Sequence, residues 1–257
     1  MTYRNEDVIS LASKMVFVKV NKKDTILTDK YGVAGYPTIV MAKADGSEID
    51  RIFGYAPPED FLTTIDDYNN DRNTLADYLR RVETDETMQL YAQIAEKYEG
   101  RRKYTEAETY YRKILQTDPN NKEGLADSAL YAIGGLKTRA KEYAAAEEVF
   151  IRLGKTYPES ELIDDAAYSM ALCMRRADRF DDAITEFKKF IKAFPESELI
   201  EDAAIYIPFC TKLKGDTAQA IALFNTFLVD FPESSSAGWV KKQIESMENP
   251  SEVKEGS

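Results

Sequence analysis

The sequence predicts an α+β chain in two parts: a short α/β segment, followed by a longer all-α array of stacked helical repeats. The main observation is a recurring string. YPESELIDDAA begins at Tyr157, returns as FPESELIEDAA at Phe194, 37 residues later, and returns again as FPESSSAG at Phe231, another 37 residues on. A fixed period of this length is typical of proteins in which each unit packs on its neighbours. The first 69 residues lack this period and alternate strand-like with helix-like patterns.

Composition and charge exclude several classes of function. The 257 residues include 45 acidic and 34 basic side chains, and the net charge of −11 disfavours nucleic acid and anionic membrane surfaces as partners. Histidine, the commonest general base and metal ligand, is absent, so we expect no metal and no cofactor. No apolar run is long enough to cross a bilayer, and the start MTYRNEDVIS lacks a signal-peptide pattern. As written, the chain is expected to stay in the cytoplasm.

Residues 1–69 predict short strands and helices in alternation. The apolar, β-branched run MVFVKVN predicts a buried strand, and KKDTILTDKYGV predicts a helix that a glycine ends. A second apolar run, an Asp-Gly turn and a returning run predict a β-hairpin, and a proline starts the next helix. The predicted elements are, in order, a strand at Met15–Asn21, a helix ending at Gly32, strands at Pro37–Lys43 and Glu48–Gly54, and a helix from Pro57 to about Asp67.

This order resembles the C-terminal two-thirds of a thioredoxin domain. The most specific match is KYGVAGYPTIV at Lys30–Val40, followed by the Asp-Gly turn and by Gly54. In the thioredoxin family the proline that corresponds to Pro37 is cis and lies against the active-site cysteines. The resemblance therefore implies a structural cis-proline at Pro37, with the Tyr36–Pro37 bond in the cis form.

The segment departs from the thioredoxin pattern at its redox centre. It contains no Cys-x-x-Cys, and the two cysteines of the chain, Cys173 and Cys210, lie in the repeats. Since thiol–disulfide exchange needs a thiolate and a resolving partner, we expect this chain not to be an enzyme. There are two explanations for the missing motif. Either the sequence is part of a longer protein, which the preserved thioredoxin-like pattern favours, or the segment is a degenerate structural cap. A sheet without its central strand would expose edges and favour self-association.

Helical repeats follow a linking helix, TLADYLRRV at Thr74–Val82. Small residues that let helices approach precede aromatic residues by four positions, and a proline closes each unit. The pairs are Ala107/Tyr111, Ala146/Phe150, Ala183/Phe187 and Ala220/Phe224, closed by Pro119, Pro158, Pro195 and Pro232. This pattern resembles tetratricopeptide repeats, and the resemblance implies a right-handed solenoid. The predicted boundaries are a truncated thioredoxin-like domain at 1–69, a linker helix at 70–86, four repeats and a capping helix at 87–249, and a disordered tail at 250–257.

The closing prolines are 39, 37 and 37 residues apart, which is longer than the usual tetratricopeptide period. The extra residues follow the proline, so we expect a slightly longer first helix in each repeat. With its YPES and FPES strings, this period resembles the repeats of bacterial cell-envelope proteins, the outer-membrane-assembly lipoproteins and the Tol–Pal-associated periplasmic coordinator. The resemblance suggests the envelope as an alternative compartment if a segment that carries a signal precedes the chain.

A partner-binding groove is predicted on the first helices, which line the concave face of tetratricopeptide arrays. The positions carried over are Ser128, Tyr131, Arg139, Tyr168, Leu172, Arg175, Arg176, Ile205, Phe209 and Lys212. The cations among them could bind an acidic or C-terminal peptide, with aromatic contacts alongside. Alternatively, they are solvated residues whose positive charges interact favourably with the C-terminal ends of the helix dipoles. The lysine and asparagine pattern of known carboxylate clamps is not reproduced.

Three other features have structural interpretations. Cys173 and Cys210 are one repeat apart and are expected to be small buried hydrophobic residues. Pro208 is expected to bend its helix. The acidic pairs near helix starts are expected to favour the helix dipole rather than bind a metal. They are Asp164-Asp165, Asp181-Asp182 and Glu201-Asp202.

The sequence therefore predicts a non-enzymatic scaffold that binds a protein or peptide through the concave face of its repeats. The alternative is a fragment of a thiol–disulfide oxidoreductase whose repeats recruit substrates or partners. Self-association through an exposed sheet edge is a third possibility. Nucleic acid and membrane insertion are not expected, and the sequence does not identify the partner.

Overall fold

The computed structural model describes residues 2–21, 23–33 and 35–249. The chain divides into two compact units, residues 1–119 and 120–257. The predicted fold class is confirmed, because a small two-stranded sheet lies in the first unit and the described residues after Phe53 form helices joined by turns. The tail predicted to be disordered, residues 250–257, lies outside the described residues.

The first unit contains an antiparallel hairpin and short helices, as the sequence predicts. Gly32, with a φ of +54°, follows the second helix, and Gly46, with a φ of +78°, forms the hairpin turn. The Tyr36–Pro37 peptide bond is cis, the isomer expected from the sequence. The elements are α1 Glu6–Ser10, α2 Thr25–Lys30, β1 Thr38–Ala42, β2 Glu48–Phe53, α3 Pro58–Asn69, α4 Leu75–Arg81, α5 Met88–Glu99 and α6 Tyr104–Thr117.

The prediction of a buried strand at Met15–Asn21 is wrong. The described residues of this segment form no strand, and Val16 and Val18 are 90% and 72% exposed. A run of β-branched residues becomes a strand only where a neighbouring strand supplies hydrogen bonds and a packed face. Within the described residues β1 pairs with β2 alone, so the segment has no such neighbour.

A buried charge cluster joins β2 to α5 in the first unit. Asp50 is fully buried and forms ion pairs with Lys97, at 3.1 Å, and Arg101, at 2.8 Å. Its carboxylate also accepts hydrogen bonds from the backbone N–H groups of Leu75, at 2.6 Å, and Arg51, at 2.7 Å. Burial lowers the pKa of Lys97, and the charge of Asp50 opposes that shift. The hairpin and the first repeat are therefore held together by charges that no sequence pattern indicated.

The second unit consists of three helical hairpins and a final helix, and each helix packs against the next along the chain. First and second helices are each 14 residues long, so the prediction of longer first helices is wrong. The extra residues of the period lie in the turns that contain the closing prolines. The helices are α7 Ala126–Arg139, α8 Tyr143–Thr156, α9 Ile163–Arg176, α10 Phe180–Ala193, α11 Ile200–Leu213, α12 Thr217–Asp230 and α13 Ala237–Glu248.

The predicted small and aromatic pairs form the cores of the repeats. Ala183 and Phe187 are both fully buried, and the other three pairs are at most 6% exposed. A Cβ atom at Gly134 would lie 2.5 Å from the ring of Phe150, which shows how closely a small residue lets the two helices of a repeat approach. Helix α11 continues through Pro208, which is buried.

A hydrogen bond between serine and an acid recurs at the turns of the second unit, and we call it the serine joint. Ser197 Oγ donates to Asp164 Oδ2 at 2.7 Å and accepts from the backbone N–H of Leu199 at 3.2 Å. Each joint links the turn before one helix to the first turn of the first helix in the preceding repeat. The three joints are Ser160–Asp127, Ser197–Asp164 and Ser234–Glu201. The serine of the recurring PES string therefore fastens successive repeats.

Removal of one joint should destabilise the end of the array. Ser234→Ala removes a donor to a carboxylate, and we expect the free energy of unfolding to fall by about 1–2 kcal/mol. Urea unfolding followed by fluorescence of Trp239, the single tryptophan, measures the change. Ser235→Ala is the matched control, because this neighbouring serine is exposed. Equal losses in the two variants would contradict a role for the joint.

Candidate functional site

The predicted groove positions recur at intervals of 37 residues on α7, α9 and α11. Residues three and four apart on a helix share one side, which places Tyr168, Leu172 and Arg175 on the same side of α9. All three side chains are half-buried, so this side faces solvent in part. We call the combined surface the first-helix face; its predicted members are Tyr131, Arg139, Tyr168, Leu172, Arg175, Arg176, Phe209 and Lys212.

The tyrosines of this face are anchored by the repeat cores. The Tyr131 hydroxyl lies 3.2 Å from Ser169 Oγ, within hydrogen-bond distance. The ring of Tyr168 lies with its centroid 5.8 Å from those of Phe187 and Phe190. Burial raises the pKa of Tyr168 well above its ordinary value, so its hydroxyl stays neutral. Tyr168 therefore supplies fixed aromatic surface rather than a titratable group.

Arg175 is held between aromatic rings. Its guanidinium carbon lies 5.0 Å from the ring centroid of Tyr206 and 6.0 Å from that of Phe209. Its Nε is buried and has no hydrogen-bond partner among the described residues. By contrast Arg179, on the same unit, is paired with Glu147 and Asp182. Arg175 is therefore positioned by stacking rather than by an acid.

A second cation and two further side chains extend the site toward α13. Lys212 Nζ donates to Gln243 Oε1 at 2.7 Å. The ring of Trp239 lies 6.0 Å from that of Phe209 and is 41% exposed. Phe209 thus lies between Arg175 and Trp239, and the capping helix contributes side chains to the face as well as closing the array.

The structure brings some predicted residues together and leaves others apart. Arg175 contacts Phe209, and Lys212 lies three residues after Phe209 on the same side of α11, whereas Arg139 and Arg176 are exposed at the ends of α7 and α9. Pro37 belongs to the first unit and is not part of this face. A binding role for any of these residues stays a prediction.

Sequence reasoning missed Tyr206, Trp239 and Gln243 as members of the face. Tyr206 stacks on Phe187, with centroids 5.3 Å apart and rings 12° from parallel, and it supports the Arg175 guanidinium. Tyr206 is equivalent to Ser169 in the preceding repeat. Because the two residues differ in type, a comparison of the repeats does not identify Tyr206. Trp239 also packs on the last repeat, with its ring centroid 6.0 Å from that of Phe224.

The two thiols are buried in the repeats, and two of the acidic pairs contribute to hydrogen bonds between repeats. Cys173 and Cys210 are both free and buried, and burial raises the pKa of the Cys210 thiol to about 11. Such thiols carry little thiolate near neutral pH, as expected for small buried residues. Asp164 and Glu201 accept hydrogen bonds in serine joints. In the part of the chain that the structure describes, no cluster of metal-ligating side chains is found.

Comparisons with protein families match the two parts of the chain separately. Residues 4–69 match a family model described as a thioredoxin-like domain. Residues 123–249 match the YfiO model, described as an outer membrane lipoprotein. These matches confirm the thioredoxin-like segment and agree with the resemblance to envelope repeat proteins. A comparison with curated protein sequences found no match.

Solved structures with similar folds are helical-repeat proteins. A crystal structure of MamA is 19% identical, covers 68% of this chain and 95% of its own, and superposes with a TM-score of 0.50. YrrB, described as a TPR protein with an unusual peptide-binding site, is 18% identical, covers 71% of this chain and 87% of its own, and has a TM-score of 0.48. A tetratricopeptide repeat protein from Parabacteroides merdae is 17% identical, covers 75% and 76%, and has a TM-score of 0.47. At these identities the likeness to MamA shows the fold alone.

The fold and the family matches together define the class of this protein. The chain has a tetratricopeptide-type helical-repeat fold and, at residues 4–69, a thioredoxin-like segment. Among the residues that the structure covers, no helix is both long and apolar enough to cross a bilayer.

Proposed function

We propose that this protein is a non-enzymatic scaffold that binds a protein or peptide through the first-helix face of its second unit. The observation that carries the proposal is the contrast between first and second helices. Second-helix aromatics such as Phe187 and Phe224 are fully buried. By contrast, the first-helix rings of Tyr168 and Phe209 are half-exposed and are linked through Tyr206, whose centroid lies 6.3 Å from each. Half-exposed rings beside cations suit a peptide ligand, which presents both apolar and charged groups.

The non-enzymatic part of the proposal rests on the thiols. Both cysteines are buried, and burial raises the pKa of each. Both also lie in the repeats rather than in the thioredoxin-like segment. We therefore favour the scaffold over a thiol–disulfide oxidoreductase, and we expect no activity in an insulin-reduction assay. Reduction of insulin by this chain would reverse that preference.

The net charge of −11 supports a protein or peptide rather than nucleic acid as the partner.

Self-association is a second proposal for the first unit. Strand β1 has a single ladder partner among the described residues, and the apolar segment Met15–Asn21 is largely exposed. Both features favour pairing with another chain. Light scattering over a range of protein concentrations tests this second proposal, and a constant monomer mass would reject it.

Site-specific photo-crosslinking tests the first-helix face directly. A photoreactive phenylalanine analogue is placed at Tyr131 or Phe209, and the purified protein is exposed to a displayed library of random peptides. Matched controls carry the analogue at Ile151 or Val229, which are 44% and 77% exposed on second helices. We expect crosslinked peptides from the first-helix positions only. Equal capture from the second-helix positions would contradict the proposal.

A further inference from the structure

We propose that the exposed side of α12 binds a second copy of this chain, with the two α12 helices antiparallel about a two-fold axis. We call this surface the α12 face. It shares no residue with the first-helix face, so the inference does not depend on the proposed function. Its members are Ala218, Ala222, Asn225, Thr226 and Val229.

The α12 face is a surface without charge in a chain rich in charge. All five side chains are exposed, and Val229 is 77% exposed. No charged residue occurs from Thr217 to Val229, although charged residues make up 31% of the chain. Residues four, seven and eleven positions apart share one side of a helix, so the face is continuous from Ala218 to Val229. A helix surface that only meets water is usually charged, which makes this one a candidate contact surface.

The equivalent positions of the preceding second helices carry cations. The position of Val229 is occupied by Lys155 in α8 and by Lys192 in α10, and both lysines are exposed. The position of Thr226 is occupied by Lys189 in α10. Packing of the repeat therefore tolerates a charge at either position. The loss of charge is specific to the last repeat, and packing within the array does not explain it.

The two polar side chains of the α12 face have partners within the helix. Asn225 Nδ2 donates to the carbonyl oxygen of Ile221 at 3.1 Å, and Thr226 Oγ1 donates to that of Ala222 at 3.2 Å. Burial of a polar group is costly when its hydrogen bonds to water are not replaced. Because these two donors already have acceptors, covering the face costs less than it would for donors that bind only water.

The spacing of the α12 face makes it complementary to itself. A two-fold contact places the same surface of both copies together. In an antiparallel pair centred on the middle of α12, Val229 lies opposite Ala218 of the second copy. Asn225 then lies opposite Ala222 of the second copy. Each larger side chain meets an alanine, so the two helices can approach closely.

The charge of the chain favours a second copy over a partner of opposite charge. Each copy has a net charge of −11, so two copies repel across most of their surfaces. On the α12 face they can meet without placing like charges against each other. A basic partner would be recognised by acids, and α12 offers none from Thr217 to Val229.

Sedimentation velocity of the full chain tests the association. One helix on each side buries less than the ~800 Å² per partner of stable complexes, so we expect a dissociation constant on the order of 10 μM. The weight-average mass should rise from monomer toward dimer as the concentration passes this value.

Substitutions on two second helices locate the contact. Ala222→Glu places two carboxylates near the two-fold axis and should weaken the association about tenfold or more. Thr185→Glu introduces the same charge at the equivalent exposed position of α10, and it should associate like the parent. Circular dichroism of each variant checks that the array is folded.

Cysteine crosslinking tests the antiparallel arrangement. Cys173 and Cys210 are buried, so an introduced exposed thiol reacts selectively. We expect a disulfide when Ala218→Cys and Val229→Cys proteins are mixed and oxidised, because these positions lie opposite each other in the antiparallel pair. Either variant alone should crosslink poorly, since two copies of the same position are then about 16 Å apart along the helix axis.

Several results would overturn the proposal. A constant monomer mass at every concentration would do so, as would equal association of Ala222→Glu and the parent. If Val18→Lys abolishes the association and Ala222→Glu does not, the contact belongs to the exposed segment of the first unit and the α12 proposal fails. Crosslinking of each cysteine variant with itself as efficiently as with the other would exclude the antiparallel pair.

Discussion

Replacement of Asp50 by alanine is expected to lower the free energy of unfolding of the first unit by about 3–5 kcal/mol. Asp50 is fully buried and is the common partner of Lys97 and Arg101. Its removal takes the ion-pair partner from Lys97 in a poorly hydrated site and leaves Arg101 paired with Glu48 alone. It also frees two backbone N–H groups that donate to its carboxylate. The loss is large because charges already buried lose their compensation, not because a buried ion pair is intrinsically stabilising.

The measurement must report on the first unit, and the single tryptophan lies in the second. Hydrogen exchange followed by mass spectrometry at β2 and α5 provides a local readout. We expect both elements to exchange much faster in Asp50→Ala. Asp29→Ala removes the same charge from an exposed position on α2 and is the control. Similar protection in the two variants would show that the cluster does not hold the unit together.

Replacement of Phe187 by alanine is expected to lower the free energy of unfolding of the second unit by about 3–5 kcal/mol. The side chain is fully buried, and its ring contacts Tyr168 on α9 and Tyr206 on α11. Its removal creates a cavity between two successive first helices. Because the stability of a repeat array depends on contacts between neighbours, the loss should spread beyond its own repeat.

Thermal unfolding measured by circular dichroism tests this prediction, and we expect Tm to fall by on the order of 10 °C. Val229→Ala removes an apolar side chain from the exposed side of α12, where it is 77% exposed, and should change stability by less than about 0.5 kcal/mol. If the Phe187 variant had the same Tm as the Val229 control, this result would contradict the packing that links the repeats. The Phe187 variant should also weaken peptide binding, since Tyr206 supports Arg175.

The fixed spacing of the repeats predicted the second unit well, because each position of the repeat occurs several times in one sequence. The pair Ala183 and Phe187 recurs with its neighbours at the same spacing, and the buried side of each helix follows directly. Errors arose where a pattern depends on something outside the local sequence. The run at Met15–Asn21 has the residues of a strand, but pairing decides whether a strand forms.

The candidate site was predicted in part for the same reason. Arg175, Phe209 and Lys212 came from aligned helix positions, and the structure brings Arg175 into contact with Phe209. Tyr206 and Gln243 could not be found that way, because each differs in type from its repeat equivalents or lies on the capping helix. The Asp50 cluster was not predicted for a similar reason. Its members are up to 51 residues apart, and no periodicity links them.

The serine joints have a consequence for how such an array can grow. Each joint connects residues 33 positions apart, while the period is 37. A duplicated block that starts at a PES turn, such as 158–194, therefore copies one serine and one acid together, here Ser160 and Asp164. The serine of the new copy can donate to the acid of the block before it, and its acid can accept from the serine of the block after it. No compensating substitution is needed. Lengthening by gene duplication thus preserves every junction, and a longer array would present a longer row of binding positions.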